Sequence, residues 1–100
     1  MSFNLLSEYY AGELGGLCND TSHVIRSPNE CTDAHQKLSY QSNLGMVVHN
    51  SGLGNGPVPS GCSVQKHNKR PHFEKSPTGL GVGRNDLEPI CRRTANTGIY

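Results

Sequence analysis

The segment that decides the fold is residues 27–38, with the sequence SPNECTDAHQKL. Ser27 is a favoured N-cap residue, Pro28 suits the first helical position, and Glu30 completes a capping box, so a helix is predicted to begin here. Helical spacing then places four residues on one face: Cys31, Ala34, His35 and Leu38. This helix presents Cys31 to the core, where we expect a disulfide partner.

Short extended segments surround this helix. Apolar and β-branched runs bounded by glycine, proline and polar residues predict strands. The predicted strands are residues 23–25, 45–49, 62–65 and 72–74, and residues 89–91 close the domain. Two loops rich in glycine and proline, residues 50–60 and 76–84, are of the kind that forms recognition surfaces. The sequence therefore predicts a small, loop-rich α+β domain with one helix packed on a short antiparallel sheet.

The apolar content of the chain is low. Among its 100 residues, Leu, Ile, Val and Phe number 20, tryptophan is absent, and the formal net charge is +1. A domain of this length buries only about 60–65% of the surface that its unfolded chain exposes. Disordered chains combine low apolar content with high net charge, and this chain lacks the second property. We therefore expect a folded domain that needs cross-links.

Four cysteines are the candidate cross-links: Cys18, Cys31, Cys62 and Cys91. An even number of cysteines in a short chain favours two disulfides, although four cysteines allow three pairings. The alternatives are four reduced thiols in a cytosolic protein or a zinc site. Zinc is less favoured because no two cysteines form the close C-x2-C pair that is usual in structural zinc sites.

The cysteines also suggest how the chain is divided. Residues 1–17 predict a lead-in helix, or the tail of a preceding segment, that ends at Gly15 and Gly16. Residues 18–93 form the four-cysteine domain, and residues 94–100 are predicted to be a flexible tail. Residues 1–17 have no signal-peptide pattern, and no apolar run spans a membrane. The chain is therefore either part of a longer secreted protein or not secreted. Our hypothesis is the first, an extracellular part of a longer secreted protein.

The spacing of several motifs resembles a known pattern. A first cysteine precedes a short strand that ends in isoleucine, a serine-capped helix that carries cysteine and alanine, and the motifs Pro-Ser-Gly-Cys, Thr-Gly and Pro-Ile-Cys. The matching residues are Cys18, Ile25, Ser27, Glu30, Cys31, Ala34, Leu38, Pro59, Ser60, Gly61, Cys62, Phe73, Thr78, Gly79, Pro89, Ile90 and Cys91. This pattern resembles an uncharacterised four-cysteine extracellular module of microalgal and protist proteins, with an architecture similar to PAN/apple domains.

The resemblance implies a disulfide pairing and a class of function. It pairs Cys31 with Cys62 and Cys18 with Cys91. PAN/apple domains bind proteins or carbohydrates outside the cell, so it also implies a binding module without catalysis. The chain departs from the module at Glu74, where asparagine commonly follows the aromatic residue, and this puts a polar ligand contact at that position in doubt.

The candidate ligand site is formed by the two loops, residues 50–60 and 76–84, with Phe73 and the basic turn at residues 66–70 beside them. Phe73 is predicted to offer a flat ring to a sugar, and Lys69 and Arg70 to offer charge-assisted hydrogen bonds, with His72 beside them. The alternative is a solvated hairpin tip. The expected partner is a carbohydrate or a protein, not a membrane. Nucleic-acid binding is not expected because the chain is weakly basic and few aromatic residues accompany the cluster.

Other candidate sites have weaker patterns. The glycine run at residues 79–83 has no following helix to bind a nucleotide phosphate, and Ser60 lacks the nucleophile-elbow motif of a hydrolase. His67 and His72 flank a turn and could approach each other as a two-histidine metal site, although surface imidazoles are the simpler interpretation. No residue is assigned to a metal, a cofactor or catalysis. Asn19 begins an N-glycosylation sequon.

Together these features predict an extracellular binding or adhesion module whose ligand is a carbohydrate or a protein surface. Two alternatives stay open. One is a structural spacer without a ligand in a tandem-repeat secreted protein. The other is a reduced cytosolic metal-binding protein, because residues 1–17 carry no visible signal peptide.

Overall fold

A computed structural model describes residues 8–50 and 57–93. Its elements, in chain order, are β1 (Tyr9–Ala11), a single 3-10 turn (Thr21–His23), α1 (Pro28–Lys37), β2 (Val47–His49), β3 (Gly61–Gln65), β4 (Pro71–Glu74) and β5 (Leu87–Arg92). One helix packs on a five-stranded sheet, which confirms the predicted fold class. The predicted flexible tail at residues 94–100 lies outside the described residues.

The strand order of the sheet is β1-β5-β3-β4-β2. All neighbouring pairs are antiparallel except β2 and β4, which are parallel. The sheet is therefore mixed, and the prediction of a purely antiparallel sheet was wrong. The reason is the path of the chain. Strand β3 follows β2 in sequence but pairs with the inner side of β4, so β2 can pair with β4 only on its outer side.

The segment before Cys18 is not a helix where it is described. Tyr9–Ala11 is a strand that pairs with β5, with Tyr10 opposite Cys91. The Arg93 amide donates to the Glu8 carbonyl at 2.8 Å, which extends the pairing. An aromatic pair suits a strand because Tyr9 enters the core from one face and Tyr10 lies on the other. The predicted lead-in helix was wrong for these residues, and residues 1–7 lie outside the described part.

The segment after Cys18 also differs from its prediction as a strand. Thr21–His23 forms the 3-10 turn, and the Asp20 carboxylate caps it by accepting from the Ser22 amide at 2.9 Å. Only Val24 makes a β-bridge, an isolated one with Cys91. The turn satisfies backbone donors locally, which leaves too short an extended segment for a strand.

Helix α1 begins where the sequence predicts. The Ser27 hydroxyl accepts from the Glu30 amide at 3.3 Å, and Pro28 occupies the first turn. The Glu30 carboxylate accepts from the Tyr9 hydroxyl at 3.1 Å and so ties the helix start to β1. The helix buries Cys31, Ala34 and His35, as its periodicity indicates. Among the described residues, no helix is long and apolar enough to cross a membrane.

Each face of the sheet carries one disulfide. Cys31–Cys62 joins α1 to β3 within the main core, whose other members are Tyr9, Ile25, Ala34, Val64, Phe73 and Ile90. Cys18–Cys91 lies in a smaller apolar cluster with Val24. The structure confirms the pairing that the resemblance implied. Two small clusters are what a chain with few large apolar residues can build, and each contains a cross-link.

Candidate functional site

Phe73 does not present its ring to solvent. The residue is only 2% exposed and belongs to the core cluster beneath α1. Alternation along β4 explains this, because Phe73 is opposite Cys62 and shares its face. The prediction of an exposed sugar-stacking ring at this position was wrong. Truncation of Phe73 would open the core and therefore cannot report on binding alone.

The other predicted ligand residues are separated. His72 is 4% exposed and lies on the face of the sheet opposite Phe73, because neighbouring residues of a strand alternate. Lys69 is exposed at the tip of the β3–β4 turn, where its carbonyl accepts from His35 Nε2 at 2.7 Å. Arg70 Nε donates to the Gly45 carbonyl at 2.6 Å. The structure therefore leaves an exposed basic tip at residues 66–69 but no continuous site.

The loop at residues 76–84 is tied to its surroundings. Arg26 donates from its two terminal nitrogens to the carbonyls of Ser76 and Gly79, each at 3.1 Å. The Ser76 hydroxyl donates to the buried Ser60 hydroxyl at 2.7 Å. These bonds fix the loop as part of the scaffold. Of the other predicted recognition loop, residues 51–56 lie outside the described part.

An open groove of about 530 Å³ follows β1 at one edge of the sheet. It is lined by residues of β1 and of the segment that leads to the first disulfide: Tyr10, Ala11, Gly12, Glu13, Gly16, Leu17 and Asn19. We call it the Tyr10 groove. Its lining residues include an aromatic residue, an acidic residue, an asparagine and two half-buried glycines. Such residues make the contacts by which proteins recognise polar ligands that also have an apolar face.

The Tyr10 side chain is held in place from two sides. Its hydroxyl forms a hydrogen bond with His23 Nδ1 at 2.5 Å, and the two rings meet edge to face. The Arg93 guanidinium lies 5.3 Å from the Tyr10 ring centre, within range of a cation–π contact. The groove therefore has a fixed aromatic residue. The sequence signal was the Tyr9-Tyr10 pair, since a strand divides two adjacent aromatic residues between its faces.

Asn19, the predicted glycosylation site, lines this groove. The residue is exposed and directly follows Cys18, whose disulfide fixes its position relative to β5. A glycan on Asn19 would cover part of the Tyr10 groove. Glycosylation of Asn19 and binding in the groove would therefore involve the same surface.

A chain of hydrogen bonds between side chains begins at the opposite edge of the sheet and crosses β4 and β3. It runs from His49 through His72 and Gln65 to Asp86 and Arg84. His49 Nε2 lies 2.9 Å from His72 Nδ1, His72 Nε2 lies 3.3 Å from Gln65 Oε1, and Gln65 Nε2 donates to Asp86 at 3.0 Å. Arg84 donates twice to Asp86, at 2.6 and 3.0 Å. We call this set the histidine chain.

Asp86 sets the direction of every bond in the histidine chain. Its carboxylate accepts the Gln65 amide protons, so the Gln65 oxygen faces His72 and must accept from His72 Nε2–H. In neutral His72 the other nitrogen, Nδ1, is then an acceptor. His49 therefore donates its Nε2 proton to His72. Protonation of His72 at Nδ1 would remove this acceptor.

The surroundings disfavour charge on both imidazoles. Burial lowers the pKa of His72 to about 4, and the positive charges of His49 and Arg84 add to this effect. Burial also lowers the pKa of His49, helped by Arg84 and opposed by the Glu74 carboxylate. The hydrogen bonds from Arg84 hold the pKa of Asp86 below its usual value. The histidine chain is therefore built for neutral imidazoles beside an ionised aspartate.

The structure brings together a different pair of histidines from the one that the sequence suggested. The partner of His72 is His49, not His67, because parallel pairing opposite Val47 places His49 two residues further along the same face. All four cysteines are disulfide-bonded and so do not supply thiolate ligands. Within residues 8–50 and 57–93, no group of three potential metal ligands occurs.

Comparison of the chain with protein-family models, with curated proteins and with solved structures finds no match. The resemblance to a four-cysteine module of microalgal and protist proteins therefore stays a prediction.

Proposed function

We propose that this domain is an extracellular binding module and that a carbohydrate binds in the Tyr10 groove. Two disulfides in a domain of this size are typical of proteins that fold in an oxidising compartment. The observation that carries the proposal is the groove itself, which is lined by Tyr10 together with the polar residues Glu13 and Asn19. A sugar ring offers apolar C–H groups on one face and hydroxyls around its rim, and this lining can contact both.

The rigidity of the groove supports a binding role. His23 and Arg93 fix the ring of Tyr10, so a ligand would not have to order it. Phe73 loses its proposed role because it is buried. The basic tip at residues 66–69, in the turn between β3 and β4, remains a second exposed surface for an anionic ligand.

Glycan-array screening followed by calorimetry tests the proposal. Tyr10→Leu keeps an apolar side chain in β1 but removes the ring and its hydroxyl, so we expect affinity for a glycan to fall at least about tenfold. Lys69→Ala is the matched control, because Lys69 is exposed and is not among the residues that line the groove. It should leave the affinity unchanged. Circular dichroism checks that both variants fold.

Three outcomes would contradict this site. A loss of affinity in Lys69→Ala but not in Tyr10→Leu would place the ligand at the basic tip. Binding of a protein and of no glycan would change the ligand class. The absence of either ligand would favour a structural spacer.

A further inference from the structure

Strand β2 is held at the edge of the sheet by few contacts. It has only three residues, its single described neighbour is β4, and Val48 is 47% exposed. The backbone contact beyond the strand is the Lys75 amide, which donates to the His49 carbonyl at 3.1 Å. The side-chain bond between His49 and His72 joins the same two strands. Because the edge is short, this side-chain bond is one of few contacts that hold it, together with the bond from Arg70 to the Gly45 carbonyl just before the strand.

This bond depends on protonation in a defined way. The histidine chain allows a proton on His49 Nδ1, because His49 Nε2 can still donate to His72. Once His49 carries that charge, it does not also allow a proton on His72 Nδ1, because two N–H donors would then face each other with no acceptor between them. A second proton would also place two cationic rings, stacked with centres 5.2 Å apart, against each other.

The surrounding charges do not relieve this conflict. From β4, the Glu74 carboxylate favours a charge on His49, while Arg70 disfavours a charge on His72. From the segment before β5, Asp86 favours a charge on His72, but its carboxylate is already bound by Arg84, whose own charge opposes both imidazoles. The group that β3 contributes is Gln65, which is uncharged.

We propose that the His49–His72 pair is an acid-sensitive contact that helps to hold β2 on the sheet at neutral pH and makes release of this edge more favourable near pH 5. The released state satisfies both imidazoles with water and accepts protons on both. The pair lies at the edge opposite the Tyr10 groove, so loss of β2 leaves the groove intact.

Hydrogen exchange followed by NMR at pH 7.5 and pH 5, corrected for intrinsic exchange rates, tests this proposal. The reporter is the Lys75 amide, and the reference is the Gly12 amide, which donates to the Pro89 carbonyl at 2.9 Å beside the other edge strand. If opening returns the pKa of His72 from about 4 to about 6.5, opening becomes about 30-fold more favourable at pH 5. We expect protection of Lys75 to fall by ten- to thirtyfold, roughly, and that of Gly12 to change little.

Three variants separate the pair from a general effect of acid. His72→Gln removes the titrating group, so Lys75 should keep its protection at pH 5. His49→Gln serves if His72→Gln fails to fold, because a glutamine at this position can accept from protonated His72. His67→Gln is the matched control, since it removes an exposed histidine and should behave like the wild type. Unchanged Lys75 protection in the wild type, or an equal loss in His72→Gln or His49→Gln, would overturn the proposal.

Discussion

Gly61 is a residue where the backbone leaves little room for substitution. It begins β3 within the Pro-Ser-Gly-Cys motif, with φ at +73°, a conformation that side chains with a Cβ rarely adopt. A Cβ atom here would overlap the Ile25 carbonyl oxygen and lie 2.7 Å from Val24 Cγ1. The glycine thus lets β3 pass directly beneath the segment that leads into α1, and so brings Cys62 close to Cys31.

We expect Gly61→Ala to lower the free energy of unfolding by about 3 kcal/mol or more, because backbone strain and overlap with a backbone atom add together. Gly45→Ala is the matched control. A Cβ at Gly45 meets no atom within 4 Å, so its effect should stay within about 0.5 kcal/mol. Urea unfolding of both variants measures the difference. Equal stabilities of the two variants would contradict the close contacts that a Cβ atom at Gly61 is expected to make.

At the scale of single elements, the N-cap of α1 makes the most direct prediction. Ser27→Ala removes the acceptor of the Glu30 amide and should cost about 1 kcal/mol of stability. Thr32→Ala is the control on the same helix: Thr32 is exposed and alanine has the higher helix propensity, so stability should not fall. Thermal unfolding of the two variants checks this. A smaller loss for Ser27→Ala than for Thr32→Ala would contradict the capping role.

The elements differ in how far the sequence could predict them. Helix α1 was predictable because its start signals and its apolar period lie within twelve consecutive residues, 27–38. The strand β1 was not, because three residues contain too little of a period to distinguish a strand from a helix. The parallel position of β2 depends on where β3 lies, which is information from elsewhere in the chain.

The candidate sites were likewise predictable only where their residues lie close together in the sequence. The basic tip at residues 66–69 is local and was found in the sequence as an exposed turn. The partner of His72 is His49, which is 23 positions away and reaches it only through strand pairing. The Tyr10 groove needs β1 and the segment before Cys18 to be folded together. Phe73 was assigned to the surface because alternation in a four-residue strand does not reveal which face is buried.

At the scale of the whole molecule, the two disulfides determine whether the domain is stable. Cys18–Cys91 closes a loop with a separation of 73 residues and Cys31–Cys62 one of 31. Loop closure of these lengths stabilises a folded chain by about 4 kcal/mol each. Their sum, about 8 kcal/mol, lies within the total stability of a typical small domain. The small apolar core is therefore not expected to hold the fold without them.

Two measurements test this dependence. For protein from a secretory host, the mass after alkylation should show no reactive thiol before reduction and four after it. Reduced protein should lose its cooperative unfolding transition, while the double variant Cys18→Ala/Cys91→Ala, which keeps one bridge, should retain a weakened one. Four reactive thiols in folded, unreduced protein would argue against an extracellular role. A reduced protein that unfolds cooperatively would show that the core is sufficient.

The position of Cys18–Cys91 beside the β1–β5 pair also has a mechanical consequence. Glu8 and Arg93 are hydrogen-bonded neighbours, so a chain that enters at one residue and continues from the other does so at a single point of the surface. Tension applied between them would peel β1 from β5 only as far as the disulfide. The load would then pass through the sulfur atoms, and residues 19–90 would carry none of it. Under force, this domain would lengthen only by the few residues outside the disulfide loop, while residues 19–90 would stay folded.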